Sequence, residues 1–538
     1  MGSGQMGARN ITLAPLPVTR ILSRGEGEGV VTDSGTLGPA RAVDSRSEIV
    51  GLARGGGANL LGTAFNQAFR FAITFLLARF LGREDAGLYY QAFAFLSFFG
   101  LVSSAGFLVS LTRFVAVHRA EKEYGALRGT VHLGLSVSTG LAVVLGVSLY
   151  LSSPWLATTI FDEPRLLTSL RIISIALIPT VFTDAALAAT RGFKTMRPYA
   201  LINLFFEPGF RVTLTIVFLW LGWGLQGAVL ALLITNTVAA ILAGNMLRDL
   251  MGRIKAAPHF EPRKLFSFSV KGWVSSLADN ANLWGDIFLL GVLTTASDVG
   301  VYVITTRLTL LATLAVGPLS TSVAPRIADL YQRGFHEQLQ QTYVLVTSWM
   351  VRLALPGFVL LLLFPQDLLR IFGPGFSDGA RITFILALAQ MIRMATGPSG
   401  LLLMMSGQAT IVMITDVFGV ALNIALNLWL IPRYGITGAA IAWAAEIIVI
   451  TIISLIEVWW IMHILPFGMG LAKGLTAAVM AFITGFGVSY VTTGAMQLVM
   501  GGLTLFLVYV GATFLLGIGP DDRLVLTTVW RGLRPRSA

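Results

Sequence analysis

The hexapeptide DAGLYY (85–90) recurs 213 residues further along the chain as DVGVYV (298–303). The same offset places Arg113 on Arg326. At an offset of 211 residues, GLQGAVLA (224–231) matches GITGAAIA (435–442). Matches at nearly one offset, at separate places in the chain, indicate that its first and second parts are two copies of one unit.

The residues around these motifs are unusually apolar. Hydrophobic residues make up 55% of the 538 residues and charged residues 12%, whereas soluble domains carry about 25% charged residues. The mean hydropathy is +0.77. Apolar runs of about 20 residues, long enough to cross a bilayer as helices, recur between residues 57 and 518. Because unpaired backbone groups are costly in lipid, we expect an all-α, polytopic membrane protein.

The composition argues against several other classes of protein. The chain has no cysteine, so disulfides and thiolate metal sites are excluded. It contains no HExxH, GxxxxGK[ST] or GxSxG motif, and we expect no enzymatic activity, no metal and no cofactor. The net charge of +11 does not predict a nucleic-acid partner, because the basic residues fall where membrane topology requires them.

The apolar runs predict fourteen membrane-spanning helices. Their ranges are 52–82, 86–115, 127–152, 166–190, 198–221, 225–249, 265–294, 298–330, 338–364, 379–404, 408–431, 436–462, 469–492 and 495–518. The repeat offset spans six helices, an even number, so both copies have the same orientation in the membrane. Parallel repeats of this kind are related by an axis along the membrane normal.

The repeat and the composition together predict five regions. Residues 1–48 are rich in Gly, Ser, Pro and Arg and are predicted to form a disordered cytoplasmic tail. Residues 49–250 and 251–464 are predicted to form the N-terminal and C-terminal six-helix bundles. Residues 465–518 hold helices 13 and 14, which lie outside the repeat. Residues 519–538 are expected to form a cytoplasmic amphipathic tail.

The basic residues orient the array, because cytoplasmic loops carry an excess of Lys and Arg. If both termini are cytoplasmic, the opposite loops hold only Arg83, Arg165, Arg370 and Arg433. The cytoplasmic loops are much richer in cations, and with the C-terminal tail they contain Arg113, Arg119, Lys122, Arg128, Arg191, Lys194, Arg197, Arg248, Arg253, Lys255, Arg263, Lys264, Arg326, Arg333, Arg523, Arg531, Arg534 and Arg536. We therefore expect both termini on the cytoplasmic side of the cytoplasmic (inner) membrane.

Two predicted helices carry a polar stripe along one face. In helix 7 the stripe is spaced by one helical turn at each step and consists of Lys271, Ser275, Asp279, Asn282 and Asp286. Helix 1 repeats the design with Asn59, Thr63, Asn66 and Arg70, and at the 213-residue offset Asn66 falls on Asp279. A charge at the bilayer centre costs about 2.5–3.5 kcal/mol, so these stripes predict a water-filled or substrate-filled cavity between the two copies.

The polar residues within the membrane fall into predicted roles. We expect the substrate to meet the cavity residues Asn66, Arg70, Lys271, Asn282, Arg307 and Arg393. Asp279 and Asp286 are expected either to hold these cations in the empty state or to carry H⁺ or Na⁺. Arg113 and Arg326 either form a cytoplasmic gate or serve topology alone. Glu207 with Arg211, and Asn423 with Asn427, are interpreted as helix-packing contacts.

Two helix junctions resemble those of a known family. LLARFLGREDAGLYYQAFAFLSFFGLVSSAGFLVSLTRFVA (76–116) is similar to the helix 1–2 junction of the Wzx-like polysaccharide flippases, which belong to the multidrug/oligosaccharidyl-lipid/polysaccharide exporter superfamily. LNLWLIPRYGITGAAIAWAAE (426–446) is similar to their helix 11–12 junction. The resemblance covers about residues 50–520. It implies a MATE-like exporter fold with two six-helix bundles, two further C-terminal helices and a central cavity open to one side at a time.

The resemblance also implies a substrate and partners. The substrate would be an undecaprenyl-type pyrophosphate glycolipid, and polymerase and chain-length proteins of the same pathway are possible partners beside the membrane lipids. The lipid II flippase shares the architecture and has arginines in helices 1, 2 and 8. Here Arg70 and Arg307 match helices 1 and 8, but helix 2 has no cation before Arg113.

These observations lead to one function with named alternatives. The first is translocation of a lipid-pyrophosphate-linked oligosaccharide by alternating access, for polysaccharide, O-antigen or exopolysaccharide biosynthesis. The alternatives are an H⁺- or Na⁺-coupled MATE-type exporter of small molecules, a lipid II flippase, or a membrane enzyme of the same pathway. Arginines favour an anionic headgroup, because guanidinium matches phosphate geometry and stays charged when buried.

Overall fold

The computed structural model of the chain describes residues 45–516, apart from residues 253, 315 and 493. Residues 1–44 and 517–538 lie outside it, and with them most of the two predicted tails. Side chains are described from Phe65 onward, without those of several residues within α8 and α10 and of Ala495 in α17.

The described chain is built from α-helices joined by short loops. They are α1 (Ser45–Ser104), α2 (Phe107–Ala120), α3 (Tyr124–Trp155), α4 (Leu166–Gly192), α5 (Arg197–Tyr199), α6 (Glu207–Trp220), α7 (Gly224–Met251), α8 (Pro262–Leu293), α9 (Ala296–Leu311), α10 (Val316–Gln332), α11 (His336–Leu363), α12 (Pro365–Arg370), α13 (Ala380–Ala395), α14 (Ser399–Met405), α15 (Ala409–Met462), α16 (Met469–Val491) and α17 (Gly494–Leu515). Leu156–Ile160 and Ala200–Phe206 are π-helical, and Phe376–Gly379 is a 3₁₀-helix.

Two glycines divide the longest helices. Gly82 in α1 has φ 76° and Gly435 in α15 has φ 56°, values that only glycine adopts readily, so each long helix is two helices joined at a sharp turn. With α1 and α15 divided in this way, every predicted span overlaps a helix. Within the described residues, nine helical stretches are long and apolar enough to cross a membrane. The prediction of a polytopic helical membrane protein is therefore confirmed, and the number of fourteen spans stays a prediction.

The helices pack in the same order in the two halves. In the first half α4 packs against α3 and α7, and in the second half α13 packs against α11 and α15. Likewise, α2 packs against α4 as α10, its counterpart at the 213-residue offset, packs against α14. Small apolar side chains allow close packing at these contacts, as in the buried run Ala185–Ala189 of α4, in which four of the five residues are alanine.

The clearest sign of the repeat is a contact between its two copies. A Cβ on Gly87 would lie 1.8 Å from the carbonyl oxygen of Ala296, and a Cβ on Gly300 would lie 1.8 Å from that of Arg83. Gly87 corresponds to Gly300, and Arg83 to Ala296, at the 213-residue offset. Contacts in which each member meets the other's counterpart are what a two-fold axis produces. A pseudo-two-fold axis therefore passes between these glycines.

Helix α8 joins the halves, since it packs against both α2 and α15. Near its N-terminus the hydroxyls of Ser110 and Ser269 are hydrogen-bonded at 2.6 Å. One turn further, the indole N–H of Trp273 donates to the carbonyl of Leu101 at 3.1 Å. These contacts hold the first part of α8 against α2 and the end of α1, and further along α8 the residues Leu283 and Trp284 line a cavity.

Candidate functional site: an arginine-lined cavity

A cavity of about 620 Å³ lies between the two halves. Its walls come from α1, the π-helical segment before α6, α6 itself, and α8, α9, α10 and α13. Aromatic and aliphatic side chains cover most of the wall, among them Phe69, Phe71, Phe93, Trp284, Leu310 and Leu314. This is the mixture that ligand cavities usually show, an apolar surface with a few convergent polar groups.

The polar groups of the wall are mainly positive. The described lining residues include four arginines, Arg70, Arg211, Arg307 and Arg393, and one carboxylate, Glu207. The formal surplus is three positive charges inside an apolar membrane protein. Arg70 is close enough to both Arg211 and Arg307 for their charges to repel each other. Charges are expensive to bury, so such a cluster is tolerated only when water or an anion occupies the cavity.

Arg70 is held at one edge of its guanidinium group. Its Nε–H donates to Oδ1 of Asn66 at 2.7 Å, and the Nδ2 of Asn66 donates to the carbonyl of Asn203 at 3.0 Å. Asn66 is buried and Arg70 is exposed to the cavity. No described residue accepts a hydrogen bond from the terminal nitrogens of Arg70, so the two are available to a ligand.

The other cavity arginines are positioned differently. The guanidinium of Arg307 lies over the ring of Trp284, 4.9 Å from its centre, which stabilises a cation without neutralising it. Arg393 is exposed to the cavity and lies within electrostatic range of the buried Glu446. Arg211 forms an ion pair with Glu207 one turn earlier on α6. Three of the four guanidinium groups are therefore not paired to a carboxylate on the cavity wall.

The ion pair of Glu207 and Arg211 is both a contact within α6 and part of the cavity wall. The sequence predicts this pair as a packing contact, and the pair does form. However, both residues line the cavity, next to Asn203. The sequence did contain a signal that these residues line the cavity. Asn203, Glu207 and Arg211 are spaced four residues apart and form a polar stripe like that of helix 1.

Asp286 does not lie where the predicted stripe of helix 7 would place it. It is not among the lining residues and is buried, with its carboxylate accepting hydrogen bonds from the hydroxyl of Tyr302 at 2.5 Å and from Nδ2 of Asn427 at 2.8 Å. Trp284, two residues earlier, lines the cavity, and residues two apart point about 200° from each other around a helix. The cavity side of α8 at this level is therefore the side of Trp284, and Asp286 faces α9 and α15.

The remaining predicted site residues fall into three groups. Asn66, Arg70, Arg307 and Arg393 line the same cavity, from α1, α9 and α13, and their role as substrate ligands stays a prediction. The side chains of Lys271, Asp279 and Asn282 lie outside the described residues. The two predicted gate residues, Arg113 and Arg326, are exposed and do not line the cavity. Arg113 lies over the ring of Phe268 on α8, 4.5 Å from its centre.

Three side chains of the kind that bind metals lie close together in the first half. Within the described residues, the ligand atoms of His118, Glu121 and Glu123 lie within 4.8 Å of one another at the end of α2. Nδ1 of His118 is 3.0 Å from a carboxylate oxygen of Glu123, and the backbone N–H of Glu123 donates to the carbonyl of His118. His118 and Glu123 are therefore already hydrogen-bonded to each other at the end of this helix.

Comparison with known proteins identifies the family. The sequence profile of the family described as polysaccharide biosynthesis protein matches residues 52–331, more than half of the chain. The chain belongs to this family. A curated relative, the probable low-salt glycan biosynthesis flippase Agl15 of Haloferax volcanii, is 26% identical over 241 residues. That match covers 44% of this chain and 51% of the relative, so the chain spans about half the length of the curated relative that it matches.

Solved structures show the fold. The lipid II flippase MurJ in an inward closed conformation has a TM-score of 0.68 at 14% identity, over 87% of this chain and 99% of MurJ. An inward-facing MATE family multidrug resistance transporter of the MOP superfamily has a TM-score of 0.61 at 16% identity, over 74% of this chain and 94% of the transporter. The predicted MATE-like fold is therefore confirmed for this member of the polysaccharide biosynthesis family.

Proposed function

We propose that this protein flips a lipid-linked oligosaccharide whose glycan and polyprenyl chain are joined by pyrophosphate. The observation that carries the proposal is the cavity's surplus of positive charge, four arginines against one glutamate among its described lining residues. A pyrophosphate diester carries about two negative charges, and guanidinium groups bind phosphate oxygens through paired hydrogen bonds. In a low-dielectric cavity this attraction is much stronger than in water. A cationic drug would instead be repelled.

Transport then proceeds by alternating access. The headgroup enters between the halves from the cytoplasmic leaflet, and Arg70 and Arg307 pair with the pyrophosphate while the polyprenyl chain stays in the lipid. The aromatic wall of Phe69, Phe93 and Trp284 is suited to stacking against sugar rings. Separation of the halves at Gly87 and Gly300 opens the opposite side and releases the glycan there. No covalent bond changes in this cycle.

The cellular setting follows from the same proposal. The protein lies in the cytoplasmic membrane with both termini in the cytoplasm, and its substrate is of the undecaprenyl-pyrophosphate type. Glycosyltransferases must supply the lipid-linked glycan, and polymerase or chain-length proteins consume it on the other side. The shared profile with polysaccharide biosynthesis proteins supports this setting.

We further propose that H⁺ or Na⁺ drives the cycle through the buried carboxylate of Asp286. This carboxylate is held by Tyr302 and Asn427, and Asn427 also donates to Oδ1 of Asn423 at 2.9 Å. An acidic side chain and amide oxygens are ligands that suit a small cation, and a carboxylate can also take up a proton. The site lies at the junction of α8, α9 and α15, where binding of a cation would change the contacts that hold these three helices together.

The deciding experiment is transport by the purified protein in liposomes. The substrate is a fluorescent undecaprenyl-diphosphate oligosaccharide, and translocation is read from the loss of fluorescence to a quencher that cannot cross the membrane. We expect transport by the wild type, at least tenfold slower transport by Arg307→Ala and Arg393→Ala, and wild-type rates for Arg433→Ala. Arg433 is the matched control, because it is an exposed arginine that likewise lies over a tryptophan ring, that of Trp429.

Other outcomes would assign a different function. Translocation of lipid II with no translocation of other diphosphate-linked glycans would make the protein a lipid II flippase. Transport of a cationic dye, with arginine variants that are as active as the wild type, would make it a MATE-type exporter. Equal rates for all variants with the glycolipid would place the anion site outside this cavity.

A further inference from the structure

The segment before α6 leaves one backbone carbonyl without a backbone donor. Ala200–Phe206 is π-helical, and the N–H of Glu207 donates to the carbonyl of Ile202, five residues earlier. The carbonyl of Asn203 therefore does not receive the N–H that an α-helix would supply. The residue five positions after Asn203 is Pro208, which has no N–H to donate. A carbonyl left unpaired within a membrane protein is costly, so it needs another donor.

The side chain of Asn66 supplies that donor. Its Nδ2 donates to the Asn203 carbonyl at 3.0 Å, and its Oδ1 accepts from Nε of Arg70 at 2.7 Å. The two bonds fix how the amide is turned, because a flipped amide would place a donor against Arg70 and an acceptor against the carbonyl. The Asn66 side chain is therefore held in one orientation, and it holds one edge of the Arg70 guanidinium.

We propose that Asn66 is a positioning residue for the anion site, held in place by the Asn203 carbonyl that Pro208 leaves free. With Nε occupied by Asn66, Arg70 presents its two terminal nitrogens to the cavity as a pair that matches two phosphate oxygens. The inference rests on the proposed function, which supplies the phosphate. If Asn66 positions Arg70, the affinity of the protein for a diphosphate depends on the orientation of the Arg70 side chain as well as on its charge.

The first test is a double-variant cycle of binding. The probe is undecaprenyl diphosphate, titrated into the full-length protein in lipid nanodiscs. We expect Asn66→Ala and Arg70→Lys each to weaken binding about tenfold. Either change leaves a positive charge in the cavity but removes the oriented pair of terminal nitrogens. The two together should weaken binding little more than either alone, since an unoriented arginine is no better than a lysine. A hundredfold loss in the double variant would show independent effects and overturn the inference.

A matched control separates positioning from general packing. Asn236 is also a buried asparagine in the first half, and its Nδ2 donates across a helix contact to Oγ1 of Thr180 at 2.7 Å, away from the cavity. Asn236→Ala should leave the affinity for undecaprenyl diphosphate unchanged. Pro208→Ala should weaken binding several-fold, because the backbone N–H of the new alanine would compete with Nδ2 of Asn66 for the carbonyl of Asn203. Pro179→Ala, in the interior of α4, is its control.

The second test needs no ligand and decides the inference even if the proposed function fails. Hydrogen exchange of the arginine Nε–H groups is followed by NMR, with the Arg70 signal assigned by its loss in Arg70→Lys. We expect slow exchange in the wild type and at least tenfold faster exchange in Asn66→Ala. Equal exchange rates in these two proteins would overturn the inference. If the wild type binds undecaprenyl diphosphate no better than Arg307→Ala, the proposed function is wrong, and the exchange rates still judge the role of Asn66.

Discussion

A single methyl group at residue 87 should push the two halves of the protein apart. In the structure a Cβ on Gly87 would lie 1.8 Å from the carbonyl oxygen of Ala296 and 2.9 Å from the backbone nitrogen of Gly300. Both are backbone atoms, which cannot rotate away as a side chain could. Ordinary contacts between carbon and a carbonyl oxygen begin at about 3.3 Å, so the helices must separate by roughly 1.5 Å in Gly87→Ala.

The cost of this separation falls on one conformation only. Overpacking of this kind costs about 1–3 kcal/mol, which would shift the equilibrium away from the conformation described here by about 5- to 150-fold. A conformation in which the halves are separated at this face is not destabilised, because the added methyl group then has no backbone atom close to it. Because Gly300 meets Arg83 in the same way, Gly300→Ala should produce a shift of similar size.

Spin-label distance measurements can test this prediction directly. The chain has no cysteine, so a label pair at Leu221 and Tyr434, both exposed, can be introduced without removing native thiols. We expect the longer-distance population to grow in Gly87→Ala and Gly300→Ala, and to match the parent in Gly140→Ala, where the added methyl meets open space. A distance distribution for Gly87→Ala that is the same as the parent's would refute the reasoning.

Four further predictions concern charged residues. Glu207→Gln removes the carboxylate from the described cavity wall and should tighten binding of undecaprenyl diphosphate several-fold in nanodiscs; unchanged or weaker binding would argue against an electrostatic site. Arg70→Glu should abolish glycolipid flipping in liposomes at normal membrane abundance, whereas Arg70→Lys should keep part of it; failure of either variant to accumulate would indicate a structural role for Arg70 instead. Asp286→Asn should fold normally, since a neutral amide is cheaper to bury, and should lose the dependence of transport on pH or Na⁺; wild-type transport under every ionic condition would exclude a coupling role. Asp378→Ala, which breaks the exposed pair with Arg83, should shift the spin-label distances far less than Gly87→Ala does, because exposed ion pairs contribute about 0–1 kcal/mol.

The sequence identified most of the cavity arginines for a simple reason. Arg70, Arg307 and Arg393 stand in apolar runs without a carboxylate one turn away, and such a charge is too costly to face lipid. Arg211 was assigned to packing because Glu207, one turn earlier, can neutralise it locally. A local pattern does not reveal whether an ion pair faces another helix or a cavity, and only the tertiary structure shows that this one faces the cavity.

By itself the sequence determined the class of the protein and its internal repeat. Its apolar runs require membrane helices, and the match of DAGLYY to DVGVYV predicts two parallel copies, which meet at Gly87 and Gly300. Only the tertiary structure decided which face of α8 lines the cavity, since the packing of α8 against α2 and α15 turns Trp284 inward and Asp286 away. The contact of Asn66 with the Asn203 carbonyl was likewise beyond the sequence, because it joins residues 137 positions apart. Periodicity states which residues share a helix face, but the rotation of each helix is set by the neighbours that fold against it.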